Sequence, residues 1–337
     1  MKEVAQELIN LNIIPIPLDK SGDGKGLKIK GWEEKEFTAE DFNDNNNVGM
    51  NLGLSKKADA DMDSREAVYF APKFMSPTRT LGLKSPTGSM TVTSHYIYDE
   101  QPDYIKREFP DGRTIAELRG NGNTVVAPSV AESKLFNKQR CERVWTNKKG
   151  FEKNPDLLEQ FNFVCVASVL KTVIESNNMP FVKLTACFKR YCPDWSEDKL
   201  YKRIEIVCNS IKHKKGGNLF KWNVVKAKVK TVLKNWDKPG YHQSGYESFA
   251  KEVGLTPEYA RDMFAWIGNV PKQGNRDDRK TIISFVERSM TEKQFHEKIE
   301  RSYLVSPIIC DVGLYVVAGK PKGGKSRVLK HLAYLVQ

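Results

Sequence analysis

The sequence has no apolar run near the roughly 20 residues that a membrane-spanning helix requires, so no membrane helix is expected. It has no CxxC pair either. Its six cysteines, at 141, 165, 187, 192, 208 and 310, have no histidine nearby at a zinc-ligand spacing, and reduced thiols are the expectation. Internal repeats and low-complexity tracts are missing as well. The opening stretch MKEVAQELINLNIIPIPLDK sets Glu3 and Glu7 inside an amphipathic pattern, with no unbroken apolar segment before a cleavage site. That pattern argues against a secretory signal and makes the cytoplasm the expected location.

What is present is an ordinary globular composition. The 337 residues suffice for two or three domains, with 39% hydrophobic and 28% charged residues and a mean hydropathy of -0.53. Lysine and arginine number 54 against 42 acids, giving a net charge of +12 and a pI near 9.2, which favours a polyanionic partner.

Along the chain, VAQELINLN reads as a helix, IIPIPL as an apolar strand, SGDGKGLKIKGW as a Gly/Lys loop and TAEDFND as an acidic helix. The DADMD strand, the SREAVYFAPKFM helix, the TVTSHYIYD strand and the TIAELRG/NTVVAPS hairpin follow without regular βαβ spacing. This predicts an α+β module over residues 1–150. From 151 to 285 the pattern turns helical and basic, with LLEQFNFVCVASVLKTVIE, SEDKLYKRIEIVCNSI and VVKAKVKTVLKNW spacing apolar residues three and four apart. Thr256-Pro257-Glu258 reads as an N-cap followed by proline at the first helical position. Residues 286–337 form a linker and then a strand–loop–helix segment of α/β type.

The acids of DADMD carry the chemistry. In a strand, Asp59, Asp61 and Asp63 share one face while Ala60 and Met62 pack beneath, and three carboxylates that close repel unless a cation lies between them. Mg²⁺ or Mn²⁺ suits such oxygen ligands. Asp63 has a second reading, because with Glu66 it makes a capping-box-like start to the following helix. Downstream, His95 lies on the SHYIY strand and Glu117 on a strand that ends at Arg119 before a Gly-rich turn. Strand acids with a histidine and basic residues fit metal-dependent nucleotidyl transfer, although clustered carboxylates also suit a nuclease.

The order DADMDSREA, SHYIY, ELRGNGNTVVAPSV and Trp145, with GKGLKIKGW and NVGMNLG ahead of it, resembles the primase–polymerase domain of the archaeo-eukaryotic primase superfamily carried by phages and plasmids. The resemblance covers roughly residues 1–150. It implies a mixed-sheet catalytic module in a bacterial or archaeal host, moving nucleotides from an NTP or dNTP to a 3′ hydroxyl on a single-stranded DNA template with a primer. It further implies metal ligands among Asp59, Asp61, Asp63 and Glu117, and nucleotide contacts from His95, Ser94, Lys84 and Arg119. The loop before His95 lacks the family's compact Gly-Arg form, and Ala131 stands where a histidine is usual.

The helical segment resembles, more loosely, the domain that follows in such proteins. There Lys226, Lys228 and Lys230 with Trp222 and Trp236 suit a DNA-binding groove with stacking platforms, or else a solvated basic face over a core. GKPKGGKS satisfies the phosphate-loop pattern: Gly319 opens it, Gly323 and Gly324 offer amides, Lys325 reaches phosphate and Ser326 holds Mg²⁺. It resembles the start of a RecA-like ATPase. The sequence stops about a helix later without a Walker B acid, so the expectation is a truncated segment that takes ATP at most as a ligand, with any oligomer arising through the missing part. Two other classes compete with a polymerase: a replication initiator that binds DNA through a decayed site, and a fragment of a P-loop helicase.

Overall fold

A computed structural model describes residues 1–27, 29–174, 178–211, 220–239, 241 and 243–270. The phosphate-loop residues Gly319 to Ser326 therefore lie outside the described residues. The fold is α+β, with ten strands and nine α-helices among the described residues. Residues 1–270 form one compact unit.

The N-terminal elements are α1 (Lys2–Asn10), β1 (Pro15–Asp19), β2 (Asn46–Asn51) and the short α2 (Leu52–Ser55). The acidic helix expected at TAEDFND is only a three-residue 3-10 turn, Ala39–Asp41, in which the Asp41 carboxylate accepts from the Thr38 amide and hydroxyl. Then come β3 (Ala58–Asp61), α3 (Arg65–Phe74), β4 (Arg79–Lys84), β5 (Thr91–Tyr98), β6 (Ile105–Glu108), β7 (Thr114–Arg119), β8 (Asn123–Val125), β9 (Val130–Ser133) and β10 (Gln139–Asn147). The helical part comprises α4 (Leu157–Val173), α5 (Met179–Tyr191), α6 (Glu197–Ser210), α7 (Trp222–Asn235), α8 (Tyr246–Val253) and α9 (Pro257–Ala265).

Helix starts follow local chemistry. The cap of α3 is Ser64, whose hydroxyl accepts from the Ala67 amide at 3.1 Å. This corrects the capping role considered for Asp63. Helix α9 begins as its sequence indicates, with Thr256 accepting from the Tyr259 amide and Pro257 in the first turn.

Seven strands form one sheet in the order β6-β7-β3-β5-β4-β10-β9, and β1, β2 and β8 form a second of three; all pairings are antiparallel. The expected TIAELRG/NTVVAPS hairpin is not a paired hairpin, since β7 belongs to the large sheet and β8 to the small one. Three residues, Gly120 to Gly122, carry the chain from one sheet to the other.

Strand alternation gives the large sheet two different faces. On the rear face, Ala58, Ala60, Tyr96, Tyr98, Ala116 and Leu118 join the apolar core shared with α3, α4, α5 and α6. Helix α4 sits at the middle of that core: every residue from Phe161 to Leu170 is buried, with the two polar ones, Asn162 and Ser168, hydrogen-bonded, as expected of a helix packed on all sides. On the front face, Leu81 and Ile97 pack with Ile16, Leu18, Val48 and Met50 from the small-sheet side. The strand face that carries the acids is thus roofed by the small sheet.

Candidate functional site

Register brings the acids and the histidine together. Asp61 of β3 lies opposite His95 of β5 on one side and Glu117 of β7 on the other, and Asp59 lies opposite Arg119. All five positions have the parity of the front face. The strand itself ends at Asp61, and Asp63 stands just beyond it with its amide donating to the Ile115 carbonyl at 3.1 Å.

Asp59 has no exposed surface. Its Oδ2 accepts from Arg119 Nη2 at 2.6 Å and from Thr124 Oγ1 at 2.5 Å, and His95 Nδ1 lies 3.1 Å away. Burial alone raises the Asp59 carboxyl, but the charges of His95 and Arg119 and the hydrogen bonds from His95 and Thr124 outweigh it and hold the group well below the usual carboxylate range. Asp59 is therefore ionised, and Nδ1 of His95 carries the proton that meets it. Arg119, for its part, is pushed down by burial and pulled up further by Asp59 and Asp61, so it is held above its ordinary value.

An open cavity of about 340 Å³ adjoins this network. Asp61, Asp63 and Glu117 contribute its acidic lining, together with His95 and Arg119. Asp59 is not among the lining residues, which separates a buried carboxylate from three that reach the cavity. Asp63 pairs with Lys134 Nζ at 2.9 Å, yet burial and the nearby Asp61 charge push it up to about 6.

Asp59, Asp61 and His95 each offer a ligand atom within 4.8 Å of one another, so the group can hold a metal ion. The donor chemistry, carboxylate oxygens with one imidazole, suits a hard divalent cation.

Two further cations in the lining, Arg143 and Lys25, were not anticipated from the sequence. Arg143 of β10 is buried, with Nε unpartnered and Nη2 reaching only the Glu132 carbonyl at 3.5 Å. Lys25, from the loop after β1, lines the same cavity; burial first, then the Arg143 charge, lowers its pKa. That loop is tied down by Asn47 Nδ2, which donates to the Gly24 carbonyl at 2.8 Å and to the Val130 carbonyl at 2.7 Å. Gly24 has φ +75°, and a Cβ there would run into the Val130 carbonyl, so glycine is required for the loop to lie this close. The Gly/Lys composition of SGDGKGLKIK was the available signal. For Arg143 the sequence holds none.

The remaining sequence candidates fall as follows. Ser94 lines the cavity, and its buried Oγ has no hydrogen-bond partner. Lys84 is exposed, pairs with Glu142 at 3.2 Å and does not line the cavity. Lys226, Lys228 and Lys230 lie along α7, with Lys226 and Lys230 exposed. Trp222 is half-buried against the main core, and Trp236 is buried with Ala186 and Val232. Trp236 thus corrects the expectation of a second stacking platform: its ring is occupied by packing. The five cysteines among the described residues are free and buried. None of the described helices is long and apolar enough to cross a membrane.

No protein-family model matches the chain, and no curated protein matches it either.

Proposed function

We propose that the chain is a metal-dependent nucleotidyl transferase of the primase–polymerase kind, extending a primer or starting a strand on single-stranded DNA. The observation that carries this reading is the register that sets Asp61 between His95 and Glu117 at a cavity lined by both acidic and basic side chains. A lining of both charges suits a ligand that is itself a metal-bound polyanion, such as a nucleoside triphosphate.

Asp61, as part of the Asp59–Asp61–His95 group, would hold Mg²⁺ or Mn²⁺, with Asp63 and Glu117 lining the same cavity, and the ion supplies neutralisation of charge on the phosphates when bound. Arg143, whose buried Nε has no hydrogen-bond partner among the described residues, and Lys25 receive the β and γ phosphates. His95, locked by its Nδ1 contact to Asp59, keeps a fixed ring edge beside Asp61. The 3′ hydroxyl gives up its proton to solvent as it attacks the α phosphate, the bond to the bridging oxygen breaks, and pyrophosphate leaves with that bond's electron pair. The net charge of +12 and the exposed lysines of α7 favour a nucleic-acid template.

The test is incorporation of labelled nucleotides on single-stranded DNA, with and without primer, in Mg²⁺ and in Mn²⁺, with Asp61→Ala as control. Product that disappears in the variant supports the reading. A folded protein that binds DNA but forms no product under any of these conditions overturns it in favour of an initiator with a decayed site.

A further inference from the structure

Arg119 occupies a position that a metal ion also wants. Its Nη2 bridges Asp59 at 2.6 Å and Asp61 at 3.1 Å, and the same nitrogen lies 3.2 Å from Thr124 Oγ1. Nη1 donates to the Asn123 carbonyl at 3.1 Å, while Nε is buried without a partner. The two carboxylates are unequal partners. Asp59 is sealed and holds Arg119 at the shorter distance, whereas Asp61 lines the cavity and keeps 18% of its side chain exposed.

A divalent ion on Asp61 brings like charge against a guanidinium that is largely buried, where repulsion is stronger than in water. Both cannot keep the same Asp61 oxygen. Arg119 has somewhere to go, because it lines the cavity and its anchor, Asp59, is not the group the ion approaches from solvent.

Resting on the metal part of the proposed function, we infer that Arg119 is an exchangeable internal cation: it neutralises Asp61 in the metal-free protein and gives up that contact, while keeping Asp59, when a divalent metal binds. Asp59 is then the anchor of Arg119 and a positioning residue for His95. The metal-free protein thereby avoids two adjacent ionised acids without a counter-ion, and the metal binds at the expense of one charge-assisted hydrogen bond.

Titration calorimetry of the full chain with Mn²⁺ alone tests this. Arg119→Gln, which keeps an amide for the Asn123 carbonyl but removes the charge, is expected to bind Mn²⁺ about tenfold tighter than the wild type. Unchanged or weaker binding by a folded variant overturns the inference. Because that variant leaves Asp59 without its cation and can fail to fold, a second measurement uses the wild type. The Nη protons of Arg119, identified by their loss in Arg119→Lys, are followed by NMR hydrogen exchange before and after saturation with Mg²⁺. Faster exchange on metal binding supports the inference, and unaltered protection with metal bound overturns it alone. If the wild type and the folded variant both bind no metal, the metal reading of the site falls, and the inference with it.

Discussion

Asp59 and Arg119 face each other across the β3–β7 ladder and close a 2.6 Å ion pair whose carboxylate has no exposed surface. A buried pair of this kind costs desolvation on both sides, and it is tolerable because Thr124 and His95 complete the acceptor capacity of Asp59. Breaking it from either side leaves a buried charge without its closest partner. Most of the mutational behaviour of the site follows from that relationship.

Asp59→Asn is expected to destabilise the protein at neutral pH by about 3 kcal/mol, since it takes from Arg119 its shorter, fully buried carboxylate contact and leaves only Asp61 at 3.1 Å. The depressed carboxyl of Asp59 contributes stability that is present above its ordinary value of 3.8 and lost as pH falls through its folded value. Denaturant melts of wild type and variant should therefore differ at pH 7 and converge in strong acid.

Asp63→Asn should act in the opposite direction. Its carboxyl is raised from 3.8 to about 6 in the fold, so the folded state binds more protons than the unfolded chain between those values, and stability falls as pH rises through that window. Removing the charge should raise stability at pH 7 by about 1–3 kcal/mol, while nucleotide incorporation declines. A thermal melt paired with the incorporation assay reads both.

Mg²⁺ should raise the melting temperature of the wild type but not of Asp61→Asn. At ten times its dissociation constant a ligand of the folded state contributes about 1.4 kcal/mol. Asp61 is only partly buried and faces the cavity, so the variant should melt near the metal-free wild type rather than unfold outright.

Arg143→Gln and Lys25→Ala should weaken nucleotide binding, each raising KM by about tenfold with a smaller effect on kcat, as expected of groups that hold phosphate away from the reacting bond. Steady-state kinetics on a primed template would show it. A fall in kcat at constant KM would instead place these side chains in the chemical step.

Gly120→Ala should cost about 1–3 kcal/mol, because a Cβ there would run into the Pro102 carbonyl and force the turn outward. Since Arg119 is the neighbouring residue, the same change should disturb the Asp59 ion pair, which chemical denaturation at two pH values would reveal.

The acids of DADMD, the SHYIY strand and Glu117 were legible in the sequence because alternation along a strand fixes which residues share a face. Their pairing partners were not, since register between distant strands leaves no local mark. The second reading of Asp63, as a helix cap, rested on spacing alone; one residue later, Ser64 takes that role, and Asp63 turns to Lys134, which is 71 positions away. Lys25 and Arg143 come from segments that show no acid–base pattern of their own and meet only because the small sheet folds over the large one. The buried run in α4 was visible as an apolar stretch, but what surrounds a helix on every side is a property of the whole core.

The three residues between β7 and β8 have a further consequence. Arg119 before them and Thr124 after them grip the same Asp59 oxygen, although one ends a strand of the floor and the other lies in the roof. Separated by only five positions, they behave as the two halves of a buckle whose loop-closure entropy is small. The clasp fixes the gap between the sheets where this turn lines the cavity, so a lengthened turn at Gly120–Gly122 should widen the cavity before it weakens the core.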